Sequence, residues 1–262
     1  MESSWLRAVL RVWVVLVLAF LFIPIVLIVL YAFNSSNIES WPIAGFSLHW
    51  FGVAWHDEQV RSAFLLSVRV GLVATALALL LGSAVAYALY KFRFFGREAI
   101  SFLLVLPLAL PGIITGIALN SFFTFTGIRF SILTIVIGHA TFCIVVVFNN
   151  IIARLRRVPG SLAEASADLG GQTWRTTWSV LLPLALPGIV AGSIFTFSLS
   201  LGDYITPLLV GGTSATFMGN IIYSNIGIAN NVPFAAAMAC IPIVIMAAYL
   251  LGARALGAFE EV

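Results

Sequence analysis

Asp203 is the only carboxylate between Asp168 and Glu260, and it stands beside Gly202 and Tyr204 at the outer end of a long apolar run. An acid with an aromatic neighbour in such a place can attract a cationic solute, by charge and by cation–π contact. It can equally cap a short outer segment beginning at Tyr204, or face water. Both readings stay open on sequence alone. His139 falls in the middle of another apolar run, where an ionisable side chain is either functional or a neutral ring bonded to a neighbouring carbonyl. The chain offers little other chemistry. No Ser, His and carboxylate constellation has a hydrolase-like context, and no Cys/His cluster has metal spacing. Cys143 and Cys240 lie in apolar runs and read as small core fillers. A phosphate-binding P-loop needs Gly-Lys-Ser/Thr, but the only lysine, Lys91, sits between Tyr90 and Phe92. We therefore expect no catalytic residue, no metal and no cofactor bound by this chain. Energy for any work must come from another polypeptide.

The elements that would position these residues follow from composition. Of 262 residues, 61% are hydrophobic and 9% charged, a balance that excludes a soluble domain and fits a polytopic helical membrane protein. Short alternating strands of a membrane β-barrel are missing from the pattern. The formal charge of +3 is small and its basic residues are scattered, so nucleic-acid binding is not expected. Six spans are predicted, at Val12–Phe33, Val70–Tyr90, Ala99–Phe125, Phe130–Ile152, Thr176–Leu201 and Val232–Ala253. The first is too long for a signal-peptide core and reads as a retained helix bent at Pro24. The second is rich in Ala and Gly, which permits close packing. Pro107, Pro111, Gly112 and Gly116 interrupt the third, which must tilt or break, either as a packing kink or to line a cavity. Trp41, Trp50 and Trp55 fall in the outer loop 34–64, where a surface helix is expected to run from Trp55 to near Arg61. Residues 208–231 are polar but uncharged and read as an outer loop with a short re-entrant or amphipathic helix. Ten of the thirteen Lys and Arg residues fall on one side of this map, together with both termini. By the positive-inside rule that side is cytoplasmic.

One cytoplasmic stretch, residues 160–183, is polar and strongly punctuated. Ser161 followed by Glu164 predicts a capping box, and Gly170-Gly171 a left-handed stop, so a short helix is expected over Leu162–Leu169. A helix of that length is marginal alone in water and needs something to dock on.

This stretch resembles the EAA loop of binding-protein-dependent ABC importer permeases. Glu164, Ala165, Gly170, Leu182 and Pro183 match that pattern at the right offsets, while Ser166 replaces an Ala and Val180 an Ile. The resemblance implies an all-α membrane protein with the ABC transporter type-1 permease fold and helix 162–169 as its coupling helix. Glu164, Ala165, Ser166, Asp168, Gly170 and Arg175 would couple that helix to a separate ATPase. The run Ser200-Leu201-Gly202-Asp203-Tyr204-Ile205-Thr206-Pro207, followed by Gly219-Asn220, is similar to spermidine/putrescine permeases. So are Tyr31–Ser35, Trp50-Phe51-Gly52 and the Pro107 to Gly116 segment. Permeases for iron, phosphonate, thiamine and opine or amino-acid derivatives share much of this pattern. The implied substrate path would involve Asp203, Tyr204, Phe123 and Tyr223. The expected organisation is an N-terminal helix and outer loop at 1–64, a permease core at 65–256 and a short cytoplasmic tail at 257–262. The implied partners are a second permease, two ATPase subunits carrying ATP and Mg, and a periplasmic or lipid-anchored binding protein, all at a bacterial inner membrane. A secondary carrier using His139 or Asp203 as a proton site, or a scaffold that transports nothing, are the competing classes.

Overall fold

A computed structural model describes residues 4–38, 41–212 and 216–255, and every regular element among them is helical. Five helices are long and apolar enough to cross a membrane: α1 (Ser4–Ala32), α3 (Glu58–Lys91), α6 (Ile132–Leu155), the run Thr173–Gly202 and α12 (Val232–Ala255). The pair α4 (Arg97–Ala109) and α5 (Gly112–Phe125), bent by 106° between them, is together long and apolar enough for a broken span or a re-entrant loop. The cause is local. Pro111 biases Leu110 to extended backbone, and Leu110 has ψ 143°, so the helix ends there and restarts at Gly112. The interrupted third span predicted from sequence is thus a true break.

The chain divides into two compact units. One comprises residues up to Arg61 together with Ile221–Ile243. Here the outer loop folds around Asn34, which is fully buried. Its Oδ1 accepts from the Ala44 N–H at 3.1 Å, and its carbonyl accepts from the Trp50 indole N–H at 2.9 Å. Ala32, Ala236, Ala237 and Cys240 form the adjoining core, with Trp50 and Phe51 packed on it. Trp50 is therefore a packing residue, whereas Trp41 and Trp55 are exposed, as an interfacial position requires. The expected surface helix at Trp55–Arg61 is absent. Instead α2 (His49–His56) ends at Asp57, whose carboxylate accepts the Gln59 and Val60 N–H groups at 2.8 and 3.1 Å. Asp57 thereby caps α3, which runs unbroken past Arg61 and Arg69.

The other unit comprises Ser62–Asn220 and the residues from Val244 onward. Its centre is the pair α6 and α9 (Leu182–Gly202). They approach closely because a Cβ at Gly188 would stand 2.8 Å from the Asn150 carbonyl oxygen, a distance only glycine permits. Around this contact Ala78, Ala86, Cys143, Val147, Phe148, Ile151 and Ala185 form one cluster. Cys143 and Cys240 are both buried, reduced core residues. Ile221–Ile243 groups with the N-terminal residues. The tail at 257–262 lies outside the described residues.

Candidate functional site

Two places in the second unit could carry function. They lie at opposite ends of one helical run. That run comprises α8 (Thr173–Thr176), a π-helical segment (Thr177–Leu181) and α9, 30 residues or about 45 Å in all. The π turn has a sequence cause. Pro183 has no N–H to give the Ser179 carbonyl, and the ladder slips so that the Leu182 N–H reaches the Thr177 carbonyl.

At one end α9 stops at Gly202 and Asp203 becomes extended, with ψ 131°. Asp203 Oδ1 accepts the Ile205 N–H at 2.9 Å and lies 3.4 Å from the Thr206 nitrogen, so it starts α10 (Ile205–Val210). The capping reading is correct for this oxygen. The second oxygen points elsewhere. Asp203 Oδ2 lies 3.3 Å from His139 Nε2, and His139 Nδ1 bonds the Ser200 hydroxyl. Neither Oδ2 nor Nε2 has a hydrogen-bond partner among the described residues, so the two atoms face each other at ion-pair distance. The carbonyl partner expected for His139 is replaced by two side chains. Phe142 and Phe217 flank its ring at 5.6 and 5.8 Å between centroids.

Sequence reasoning saw no Ser, His and carboxylate constellation, yet Ser200, His139 and Asp203 meet here. Ser200 and His139 are both 0% exposed, so the hydroxyl is a buried packing and hydrogen-bonding group. Asp203 then forms part of the wall of a cavity of about 510 Å³. Its other walls come from the break (Pro107, Leu108, Leu110), from Thr115 of α5, from Phe142 of α6 and from Ser198 and Leu199 of α9. The broken span lines a cavity rather than merely kinking. Tyr204 also lines it, while its carbonyl accepts from the Asn220 side chain at 3.0 Å. Phe123 does not: it is buried in a separate cluster with Val70, Ile135, Val210 and Phe217. Its aromatic ring is core packing. Tyr223, on α11 (Met218–Gly227), belongs to the other unit and is half exposed.

At the far end α7 spans Gly160–Asp168, with Pro159 at its N-cap and no side-chain cap. The expected capping box is therefore wrong. The helix begins one residue before Ser161, which places that hydroxyl inside the first turn. The stop is as expected. Gly170 has φ +79°, its N–H reaches the Ala167 carbonyl at 2.9 Å, and the Gly171 N–H reaches Ser166 at 2.8 Å. This is a Schellman ending. Glu164, Ala165, Asp168, Gly170 and Arg175 are all exposed, and Leu169 is 90% exposed. Ser166 alone turns inward, its hydroxyl 2.8 Å from that of Thr176. Thr177 then bonds the Tyr87 hydroxyl of α3 at 2.9 Å. A concave patch of about 430 Å³ on this surface is formed by Leu162, Ala165, Ser166, Leu169, Arg175 and Val180. It has the shape and exposed apolar surface of a docking site.

Comparison with known proteins agrees with this arrangement. Residues 78–259 match the family described as binding-protein-dependent transport system inner membrane component. The putrescine transport system permease protein PotI of Escherichia coli K12 is 34% identical over 79% of this chain and 76% of its own length. The spermidine/putrescine transport system permease protein PotC of Haemophilus influenzae is 32% identical over 79% and 80%. A solved bacterial ABC transporter involved in alginate import superposes with a TM-score of 0.74 at 14% identity, covering 98% of this chain and 96% of that one. With that fold, that family match and these helices, the chain belongs to the binding-protein-dependent transport system inner membrane components and is a multi-pass permease subunit of an ABC importer.

Proposed function

We propose that this permease carries polyamines of the spermidine and putrescine type. Asp203 carries the proposal: it is a carboxylate in the wall of a cavity whose other walls include Pro107, Leu108, Leu110, Phe142 and Leu199. A polyamine alternates ammonium groups with methylene chains. The ammonium suits the carboxylate, with Tyr204 beside it and the Thr115 and Ser198 hydroxyls near. The methylenes suit the apolar walls. The names of the two relatives support the same solute class. In this reading the α7 end and both termini are cytoplasmic. The exposed face of α7 docks on a separate ATPase that binds ATP and Mg, and the cavity end faces a substrate-loaded binding protein. A second permease completes the path.

The test is uptake of labelled putrescine by cells expressing the whole system, with spermidine, an iron chelate, a phosphonate and thiamine as competitors. Competition by spermidine alone supports the proposal. Competition by one of the others, with none by spermidine, contradicts it. Asp203→Asn should lower saturable putrescine uptake by about tenfold or more while leaving the permease in the membrane, because the amide oxygen can still cap α10.

A further inference from the structure

A further concavity of the second unit, larger than the two described above, belongs to neither site. It is a groove of about 880 Å³ between α3, α6 and the α8–α9 run. Its walls are apolar, with Leu79, Leu80, Ile151, Leu181, Leu182 and Ile189 among them. Its volume is in the range of true ligand sites, roughly 300–1,000 Å³. One end is polar. There Tyr87 and Thr177 close the groove with a hydroxyl–hydroxyl bond of 2.9 Å, and Lys91 Nζ donates to the Tyr87 hydroxyl at 3.1 Å. Lys91 is the only lysine in the chain, its own side chain is exposed, and Arg93 follows two residues later. Trp174 and Trp178 line the groove edge-to-face, 5.1 Å between ring centroids, and both are more than half exposed. Amphipathic rings at that depth mark the boundary between hydrocarbon and headgroups.

An apolar slot along a span, a tryptophan pair at its rim and a cation at its polar end together specify an amphiphile with a negative head. We infer that the groove holds an anionic phospholipid, its acyl chain between α3 and α9 and its phosphate at Lys91. Basic positions just beyond a span attract such headgroups. The consequence is mechanical. The lipid would press on the π-helical segment, which follows directly on Thr176, the residue whose hydroxyl bonds Ser166 of α7.

The experiment places the full-length chain, purified with its partner subunits, in nanodiscs containing equal mole fractions of acyl-brominated phosphatidylglycerol or acyl-brominated phosphatidylcholine. Bromine quenches tryptophan on contact. The signal of Trp174 and Trp178 is the difference between this protein and a Trp174→Phe/Trp178→Phe variant. The groove reading predicts that phosphatidylglycerol quenches that signal with an apparent preference of about fivefold, the amount one basic residue near the surface supplies. Lys91→Gln should remove the preference and Lys91→Arg should keep it. Equal quenching by the two lipids, or a preference unchanged by Lys91→Gln, overturns the inference. So does crosslinking of a Ser83→Cys variant to the partner permease, which would put protein in the groove.

Discussion

The two ends of the α8–α9 run are built on opposite principles. At the Asp203 end the polar groups that meet are turned inward: His139 and Ser200 are fully buried, and Asp203 divides its two oxygens between the start of α10 and the imidazole. At the α7 end nearly every side chain faces outward, and a single hydroxyl pair ties the helix to its own chain. A buried charge must be paired or it costs several kcal/mol, and the groups that meet Asp203 all come from this polypeptide. A nine-residue helix with exposed leucines is marginal alone, so the second end is complete only with a partner. The difference separates recognition of the solute from receipt of mechanical work, and it makes the two ends respond differently to mutation.

The largest effect is expected at Gly170. Its φ of +79° strains any residue with a Cβ by roughly 1–2 kcal/mol, yet nothing lies within 4 Å of where that Cβ would be. Gly170→Val should therefore redirect the chain after α7 and abolish uptake, with normal membrane levels by immunoblot. Retained uptake would remove the contrast, since the far end would then tolerate deformation. Asp203→Asn comes next. It should lower uptake by about tenfold or more, the equivalent of one modest charge interaction, while the melting temperature of the purified complex changes little. A large loss of thermal stability with normal transport would make Asp203 purely structural. His139→Ala should do the reverse and act mainly on stability, destabilising the protein by about 1–3 kcal/mol as the partner groups are left unpaired. Thermal unfolding in detergent reads this directly. The smallest effect belongs to Ser166→Ala, which removes one hydroxyl pair worth about 1 kcal/mol. It should leave folding intact and reduce coupled transport slightly, seen as more ATP hydrolysed per solute moved.

What was legible in the sequence follows the range of the interactions. The Gly170-Gly171 stop is a local matter of backbone sterics, and it stands where expected. The break in the third span also has local causes in Pro111 and Gly112, although no local rule supplies its 106° angle. The start of α7 was misread because Ser161 and Glu164 have capping-box spacing, while Pro159 already fixes the turn one residue earlier. Arg61 marks the end of the surface helix expected before the second span. Asp57 instead caps one continuous helix that carries both Arg61 and Arg69. The pairing of His139 with Asp203 and Ser200 had only a faint signal, the i, i+3 spacing of Ser200 and Asp203. His139 lies on another span, and only the close approach of α6 and α9 brings it there. Phe123 was misplaced for the same reason: an aromatic near a cavity and an aromatic in a core look alike until the packing is known.

The most direct measurement is uptake of labelled putrescine by proteoliposomes containing the two permeases and the loaded binding protein, with and without the ATPase. The account predicts uptake only when the ATPase and internal ATP are both present, and its loss with Gly170→Val. Uptake by the permease alone, following a proton gradient without ATP, would contradict it.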